Sequence, residues 1–388
     1  MTLTRETTAV GRQTKLPETS RAAVLTEFGE SLEIRELPVP TELEPGALLV
    51  RILASSICGS DVHLWSGTLG GSQAMELPVI PGHEMVGEIV AVGEGADTDT
   101  FGSDLSIGDR ILYTHGSCGR CFHCAVANQP TLCADRRYYM FTNCERPPYL
   151  VGGFSEYCYV FPQSGRVKVP DAVDTAWASA ASCALRTVVH SFDRIGRIEP
   201  WQNVVIQGAG PLGLFATALA SRAGAARVIT IGAPDNRLEI AKAYGATDVL
   251  SVEEVPSAEE RPAAVRSLLG RGADIVFEFS GARSAFLEGL EMVEHGGRYM
   301  VTGQIAKPGE EISFLPGVIT RRQLTVMGTW SGHINEYWKS LQFMEQTKGQ
   351  YDWDLLTPNR YSLERATEAL RRMKAQEDIK PIIEPSGS

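Results

Sequence analysis

The sequence predicts an α/β protein of two domains, the first built from β-strands and the second from a parallel sheet wrapped by helices. A length of 388 residues allows two or three domains at about 100–200 residues each. Short apolar runs between turn signals fill the first half of the chain, and a strand-then-helix rhythm fills much of the second. A hydrophobic fraction of 43% with 21% charged residues lies near the globular average, which excludes a mostly disordered, collagen-like or coiled-coil chain.

The charge balance and the cysteine content bound the partners and the compartment. Asp and Glu number 47 against 36 Lys and Arg, and the resulting net charge of −11 would repel a nucleic-acid backbone and an anionic bilayer. No apolar run approaches the roughly 20 residues that cross a bilayer, and the first residues lack the hydrophobic core of a signal peptide. Eight cysteines are too sparse for a disulfide scaffold. We therefore expect a cytoplasmic protein without nucleic-acid or membrane partners.

The first half of the chain predicts a flexible arm followed by a β domain. Residues 1–20 lack apolar periodicity and are rich in Thr, Arg and Gln, so we expect a flexible N-terminal arm. A helix-like stretch runs from Thr175 to Ile195. Between about residues 21 and 170, β-like runs bounded by turn residues suit a compact all-β domain or barrel: AAVLTEF, GALLVRILAS, HEMVGEIVAVG, GDRILYTH, SEYCYVF and GRVKVP.

The second half of the chain alternates strands and helices. Its Val- and Ile-rich runs do not alternate with polar residues, which is typical of strands buried on both faces of a parallel sheet. From about Gly332 the pattern becomes helical and ends in the strand-like KPIIEP. The strand-helix pairs are NVVIQ with PLGLFATALASRAG, ARVITIG with NRLEIAKAYGA, and ADIVFEFSG with ARSAFLEGLEMV.

A glycine-rich turn between the first of these strands and its helix predicts a dinucleotide site. The first glycine permits the tight turn, the second lets the main chain approach a pyrophosphate, and the third allows the helix to pack against the strand. A glycine-rich turn without a ligand is the alternative, but the strand before it and the helix after it favour cofactor binding. The turn consists of Gly208, Ala209, Gly210, Pro211, Leu212 and Gly213.

The end of the following strand leaves the choice between NAD and NADP open. An acidic residue there would accept a hydrogen bond from the ribose 2′-hydroxyl, but the expected position holds Gly232. Asp235 stands three residues later and could reach the ribose. Alternatively, Gly232 could make room for a phosphate paired with Arg237. A solvated turn is a third possibility for both side chains.

Four cysteines in one segment predict a closed metal site. Four thiolates match the tetrahedral sulfur set of a structural zinc, which leaves no position for water or substrate. A redox switch and an iron–sulfur cluster are the alternatives. Cys144 and Cys158 lie outside this set, and we expect them to be buried free thiols. The four ligands would be Cys118, Cys121, Cys124 and Cys133.

A second ligand set is spread along the chain. Cys58 lies at the end of one predicted strand and His83 at the start of another, and with Cys183 they offer two thiolates and one imidazole. Three protein ligands leave zinc an open position, where it can polarise an alcohol oxygen and lower its pKa. Taken singly, Cys58 or His83 would more often be a packed residue than a ligand.

The combined motifs resemble the zinc-dependent medium-chain alcohol dehydrogenase/reductase family, from about residue 21 to residue 385. The resemblance implies a GroES-like β-barrel catalytic domain with the zinc sites, formed by residues 21–186 and 336–388. It also implies a Rossmann-type doubly wound parallel-sheet cofactor domain over residues 187–335, two zinc ions per chain, and NAD or NADP. The motifs, in family order, are Cys58-Gly59-Ser60-Asp61-x-His63, Gly82-His83-Glu84-x-x-Gly87, the four cysteines and Gly208-x-Gly210-x-x-Gly213.

The resemblance also implies roles for single residues around the catalytic zinc. Cys58, His83 and Cys183 would hold the metal, with Glu84 beside it as an occasional ligand. The remaining position would take water or substrate.

Further roles carried over from the family concern the proton path and the cofactor. Ser60 would take the alcohol proton, and His63 would pass it through the cofactor ribose toward solvent; a turn hydroxyl and a surface histidine are the alternatives. Thr187 would contact the nicotinamide. Lys380 would lie near the active site or the cofactor phosphates, or else be solvated.

We expect reversible hydride transfer between an alcohol and NAD(P), giving a ketone or aldehyde. An aromatic segment near the substrate mouth favours a secondary alcohol that is bulky or cyclic, with core packing of these side chains as the alternative: Trp65, Tyr138, Tyr139, Met140 and Phe141. An NADPH-dependent carbonyl reductase and a non-catalytic dinucleotide-binding redox sensor remain alternatives. A zinc hydrolase is disfavoured because the sequence has no H-E-x-x-H motif. Relatives commonly extend the cofactor sheet across a two-fold axis, so we expect a homodimer or homotetramer.

Overall fold

A computed structural model describes residues 16–69, 75–303 and 311–386. Most of the expected N-terminal arm, residues 1–15, lies outside the described residues. The first strand begins at Thr19, two residues earlier than expected, and Leu16 already packs against a buried apolar cluster. Within the described residues, no helix is long and apolar enough to span a membrane.

The strands are short and fall into two sets, one in the first half of the chain and one in the second. In chain order they are β1 (Thr19–Val24), β2 (Glu33–Pro38), β3 (Leu48–Ser56), β4 (Met85–Val92), β5 (Arg110–Tyr113), β6 (Gly116–Ser117), β7 (Arg136–Arg137), β8 (Tyr157–Val160), β9 (Arg166–Lys168), β10 (Asn203–Gln207), β11 (Arg227–Gly232), β12 (Asp248–Ser251), β13 (Ala273–Glu278), β14 (Val293–Val301), β15 (Thr325–Gly328), β16 (Arg360–Tyr361) and β17 (Ile382–Ile383).

The helices concentrate after residue 174, as the change in sequence rhythm predicts. They are α1 (Gly59–Trp65), α2 (Thr175–Ala180), α3 (Arg186–Ile195), α4 (Pro211–Arg222), α5 (Asp235–Ala243), α6 (Arg261–Leu269), α7 (Ala285–Met292), α8 (Gly317–Arg322), α9 (Ile334–Gln346) and α10 (Ala366–Lys374).

The first large sheet is mainly antiparallel and holds the strands of the predicted β domain except β1, which pairs with β2 in a separate two-stranded sheet. Its order is β16-β17-β3-β4-β5-β9, with β8 also pairing with β3. The central strand β3 reads LLVRILASS and is buried along most of its length, because strands cover both of its edges. Ser55 of β3 pairs with Met85 of β4, so the end of β3 lies beside the start of β4. This register brings the segments that follow β3 and precede β4 to the same edge of the sheet.

The second large sheet is parallel and six-stranded, in the order β12-β11-β10-β13-β14-β15. From β10 the chain adds β11 and β12 on one side of the sheet. It then adds β13, β14 and β15 on the other side. This is the doubly wound order, in which ligands bind beyond the carboxyl ends of the strands where the direction reverses. The two sheets confirm the predicted fold class.

A helical run joins the two sheets. The helix α2, a π-helical turn over Ala181–Leu185 and the helix α3 follow one another directly from residue 175 to residue 195. The expected domain boundaries at residues 186/187 and 335/336 therefore fall within helices α3 and α9. These two helices pack against each other. We propose that the two domains meet through this helix pair and not at a loop.

The glycine turn after β10 is set by close backbone approaches. Gly208 has a φ of +112°, which favours glycine, and a Cβ there would lie 2.9 Å from the Ser280 nitrogen. A Cβ on Gly213 would lie 1.7 Å from the Gly208 carbonyl oxygen. The helix α4 can therefore start this close to β10 only if residue 213 has no side chain.

Replacing Gly213 by alanine should destabilise the fold, because the junction of strand, turn and helix must open to admit the methyl group. Overpacking of this kind costs about 1–3 kcal/mol. Gly210→Ala is the matched control, since a Cβ there meets nothing within 4 Å and its φ is −80°. That variant should stay within about 0.5 kcal/mol of the wild type. Urea unfolding followed by circular dichroism measures both values, and equal losses would contradict the packing argument.

Candidate active site and sulfur-rich lobe

Four predicted side chains converge where the antiparallel sheet meets the connecting helices. Cys58 follows β3, His83 and Glu84 precede β4, and Cys183 lies in the π-helical turn between α2 and α3. One ligand atom from each of the four lies within 4.8 Å of the others. Two sulfurs, one ring nitrogen and a neighbouring carboxylate form a donor set that fits zinc. The structure thus brings together residues that are up to 125 positions apart in the chain.

The two thiols of this cluster shift each other's pKa in opposite directions. Hydrogen bonding to Cys183, together with burial, raises the pKa of Cys58 to about 12. The same contact from Cys58 lowers the pKa of Cys183. Burial opposes the charged form of His83, but the Asp61 carboxylate outweighs burial and raises the pKa of His83 to about 10. A metal ion that binds the two sulfurs and the ring nitrogen would displace protons from them, as at other zinc sites.

Asp61 joins the backbone of the two chain segments that carry Cys58 and His83, and the sequence assigned it no role. Its fully buried carboxylate accepts hydrogen bonds from the backbone nitrogens of Cys58, at 2.8 Å, and Gly82, at 2.9 Å. The His83 Nδ1 lies 3.4 Å from the Asp61 Oδ1, which leaves Nε2 as the nitrogen for a metal. An acid three residues after Cys58 at the start of a helix is a capping signal that could have revealed this residue.

Glu84 is held by a buried ion pair. Its Oε2 lies 2.5 Å from the Lys380 Nζ and accepts a hydrogen bond from the Ser56 hydroxyl. Lys380 also donates to the Ile57 carbonyl at 3.2 Å and is 1% exposed, so the solvated alternative for this lysine is wrong. Burial raises the pKa of Glu84 to about 7, against the opposing effect of Lys380. The Glu84 Oε1 is buried without a hydrogen bond within the described ranges, as expected for an oxygen beside a metal site.

The two residues of the expected proton path lie on the first helix. The Ser60 hydroxyl is 3.8 Å from the Cys58 sulfur, so it borders the ligand cluster. His63 stands one turn later on the same helix and is exposed, with its Nδ1 3.0 Å from the Thr68 hydroxyl. Thr187 is largely buried on α3, one turn after Cys183. One end of the path therefore adjoins the cluster and the other reaches the surface.

The predicted dinucleotide turn lies at the carboxyl end of β10. Gly210 caps the helix α4 and Pro211 is its first residue, an arrangement that leaves the first amides of the helix facing outward. Leu212 packs partly against the core. An anion at this helix terminus would meet the positive end of the helix dipole.

The residues after β11 differ in their exposure. A Cβ on Gly232 would lie 2.5 Å from the Ala209 Cβ, so no side chain fits there without a shift. Asp235 is exposed and accepts a hydrogen bond from the Ser251 hydroxyl at 3.3 Å. Arg237 is 8% exposed, and its Nη2 donates to the carbonyls of Gln376 and Asp378, each at 3.2 Å. The guanidinium is therefore engaged with the C-terminal segment.

The four clustered cysteines form a second, separate donor set. The loop that carries them is closed at its base by the antiparallel pair β6–β7. Backbone N–H groups of Arg120 and Cys121 lower the pKa of Cys118 to about 6, which favours its thiolate. The four sulfurs lie within 4.8 Å of one another, so the set fits a closed zinc site: Cys118, Cys121, Cys124 and Cys133. We call this loop the sulfur-rich lobe. Cys144 and Cys158 are fully buried free thiols, which confirms that prediction.

Most of the expected aromatic wall belongs to the core. Tyr139 is 1% exposed and hydrogen-bonds the Ser164 hydroxyl at 2.9 Å. Trp65 is also buried and donates to the Glu30 carbonyl at 2.6 Å. Met140 packs in the same apolar cluster as Trp65, and Phe141 lies partly buried against it. The substrate-mouth expectation is wrong for Trp65, at the end of α1, and for Tyr139 and Met140, because all three side chains are buried in the core.

A cleft of about 660 Å³ opens beyond the carboxyl ends of β14 and β15. The sulfur-rich lobe forms one wall of the cleft. The helix α3 forms a second wall, beginning two helical turns after Cys183. Its lining residues were not predicted, since the walls come from segments that are distant in the chain. Its apolar lining includes Leu132 and the 59% exposed Trp330, and its polar lining includes His190, Arg194, His333 and Glu336.

Comparisons with known proteins agree with this geometry. Residues 44–171 match the family described as alcohol dehydrogenase GroES-like domain, and residues 211–346 match the zinc-binding dehydrogenase family. The chain is 32% identical to 5-exo-hydroxycamphor dehydrogenase of Pseudomonas putida, over 94% of this chain and 98% of the relative. It is 30% identical to sorbitol dehydrogenase of Bacillus subtilis (strain 168), over 92% of this chain and 94% of the relative.

Solved structures give the same result. An alcohol dehydrogenase from Thermotoga maritima matches with a TM-score of 0.86 and 34% identity, covering 95% of this chain and 99% of that one. A zinc-binding dehydrogenase from Sinorhizobium meliloti 1021, bound to NADP, matches with a TM-score of 0.80 and 26% identity. The match covers 95% of this chain and 100% of that one. The chain therefore belongs to the zinc-dependent medium-chain alcohol dehydrogenases, a family of NAD(P)-dependent oxidoreductases.

Proposed function

We propose that this protein transfers a hydride reversibly between a bulky or cyclic secondary alcohol and NAD(P), through a centre held by Cys58, His83 and Cys183. The observation that carries the proposal is the convergence of these three donors, with Glu84, within 4.8 Å. When bound, zinc supplies a Lewis acid that lowers the pKa of an alcohol. A non-catalytic dinucleotide sensor has no need of such a donor set.

The side chains around the centre divide the remaining work. Ser60 accepts the alcohol proton at its Oγ as its own proton leaves, and the exposed imidazole of His63 takes up that charge near solvent. The Lys380 ammonium holds Glu84 in its place, so we assign Glu84 to supporting the centre and not to proton transfer. Thr187 borders the nicotinamide from α3. The turn at Gly208–Gly213 holds the pyrophosphate.

We assign the alcohol to the cleft because α3 forms one of its walls two turns after Cys183, although none of the four donor residues lines it. Its volume of about 660 Å³ lies within the range of about 300–1,000 Å³ for small-molecule sites. The apolar faces of Leu132 and Trp330 suit a ring system, while alcohols as small as ethanol would leave this space largely wet. The name of the Pseudomonas putida relative, a hydroxycamphor dehydrogenase, agrees with a ring alcohol.

The exposed edge of the parallel sheet supports a dimer. Among the described strands, β15 pairs only with β14 and so leaves an unpaired edge. Leu315 shortly before it is 74% exposed, and Phe314 is 37% exposed. We propose that a second copy covers this edge, giving a homodimer or, through a further contact, a homotetramer. We also propose a reducing, cytoplasmic location, because all eight cysteines are free.

Replacing Cys58 by alanine should remove one of two zinc ions and nearly all activity. Loss of one of three protein ligands weakens the open site, while the sulfur-rich lobe keeps its four donors. Zinc per chain, measured by mass spectrometry of the metal content, should fall from two to one, and alcohol oxidation should fall by more than about 100-fold. Cys144→Ala, which removes a buried free thiol, is the control and should keep both ions. One zinc in the wild type, unchanged by Cys58→Ala, would contradict the assignment.

Replacing Ser60 by alanine should lower kcat by about 100-fold or more, because the alcohol proton loses its first acceptor. Zinc content should stay at the wild-type value, since Ser60 is not a ligand. Ser106→Ala is the control, because it removes a serine hydroxyl at an exposed position outside α1 and outside the ligand cluster. The measurement is the steady-state rate with a cyclic alcohol from pH 6 to pH 10. A Ser60→Ala enzyme with wild-type kcat across this range would rule out the relay.

Replacing Lys380 by methionine should destabilise the protein by about 3–5 kcal/mol, because it leaves the Glu84 carboxylate buried without its partner. Lys380→Arg keeps the positive charge and should therefore lose less stability than Lys380→Met. Chemical unfolding measures the stability, and dialysis against a chelator measures zinc retention, which should also fall in Lys380→Met. Stability equal to the wild type in that variant would mean that Glu84 does not depend on the ion pair.

A further inference from the structure

We infer that Asp235 recognises the adenosine ribose of the cofactor and gives this enzyme a preference for NAD over NADP. The inference rests on the proposed dinucleotide site at the glycine turn. It goes beyond that proposal because it selects one of the two cofactors. Three contacts around the end of β11 carry it.

The usual position for a ribose-binding acid is blocked. Gly232 ends β11 beside the glycine turn, where the Gly208 nitrogen donates to the Ile231 carbonyl at 2.7 Å. A Cβ on Gly232 would lie 2.5 Å from the Ala209 Cβ and 2.7 Å from the Ala209 nitrogen. Since the turn itself fills that space, recognition of the ribose falls to the residues that follow the strand.

Asp235 is held beside the blocked position. Gly232 pairs with Ser251 at the end of the neighbouring strand β12. The Ser251 hydroxyl donates to the Asp235 Oδ1 at 3.3 Å, so the carboxylate is tied to the residue directly opposite Gly232. Asp235 is exposed, and within the described ranges its Oδ2 has no hydrogen bond and no cationic partner. This oxygen can accept the ribose 2′-hydroxyl.

The cation that NADP would require is engaged elsewhere. Arg237 is 8% exposed, and its Nη2 donates to the carbonyls of Gln376 and Asp378. Burial lowers its pKa, consistent with a guanidinium withdrawn from solvent. A 2′-phosphate carries about −1.5 to −2 charges near pH 7. It would meet the exposed Asp235 carboxylate first, so charge repulsion adds to the loss of the hydroxyl contact.

Fluorescence titration of the full-length, zinc-loaded enzyme with NADH and with NADPH tests this inference without turnover. The wild type should bind NADH at least about tenfold tighter, as expected for one hydrogen bond to a charged group. Asp235→Asn should reduce this ratio by about tenfold, and Ser251→Ala should reduce it by a smaller factor in the same direction. Glu239→Gln is the matched control, because it removes one negative charge a helical turn further along α5. It should leave the ratio within about twofold.

Calorimetry with 5′-AMP and 2′,5′-ADP provides a second binding measurement, restricted to the adenosine end of the cofactor. The variant Arg237→Met tests the competing assignment, in which Arg237 binds the 2′-phosphate of NADP. We expect Arg237→Met to change both affinities by the same factor. Tighter binding of NADPH by the wild type, or a loss confined to 2′,5′-ADP in Arg237→Met, would overturn the inference while leaving hydride transfer standing. Binding of neither dinucleotide would overturn the inference and the proposed function together.

Discussion

The Asp61 carboxylate is the contact on which the geometry of the candidate centre depends. The antiparallel register of β3 and β4 brings two chain segments to one edge of the sheet, but it does not orient their side chains. Asp61 joins the two segments, because its buried carboxylate accepts from the backbone at Cys58 and at Gly82 and lies 3.4 Å from the His83 Nδ1. The backbone that carries both donors is thereby held in place without a metal. A site of this kind loses little conformational entropy on binding, which favours high affinity.

The rest of the architecture places the reacting partners around that fixed point. The helical run from residue 175 to residue 195 carries Cys183 into the centre and then continues along the cofactor sheet. One continuous element therefore contributes a metal donor and the neighbouring cofactor wall, which keeps their spacing constant. The sulfur-rich lobe lies across the cleft from this helix, and its closed donor set stiffens a loop that otherwise has few backbone pairs. Rigid walls on both sides are what orientation of an alcohol toward a nicotinamide requires.

The sequence was sufficient where the chemistry is local. Gly208 to Gly213 and Cys118 to Cys133 are contiguous motifs, so spacing predicted the turn and the lobe. The strand rhythm predicted a parallel sheet wrapped by helices, and the family resemblance implied its doubly wound arrangement. Prediction failed where the answer depends on which way a loop faces. Trp65, Tyr139 and Met140 are apolar side chains in a loop-rich region, and only tertiary packing decides that they point inward. Lys380 and Asp61 were underestimated for a related reason, since the value of a buried charge depends on partners that are distant in the chain.

The pairing of Lys380 with Glu84 has a consequence for the order of assembly. Lys380 follows the whole parallel sheet in the chain, whereas the residues that bind around Asp61 precede it. During synthesis the barrel half emerges first with an acidic side chain already committed to a dry interior and no counter-ion available. Its catalytic corner can settle only after the nucleotide-binding half has been made and the chain has returned to the barrel. Formation of the buried Glu84–Lys380 pair is thus coupled to completion of both halves.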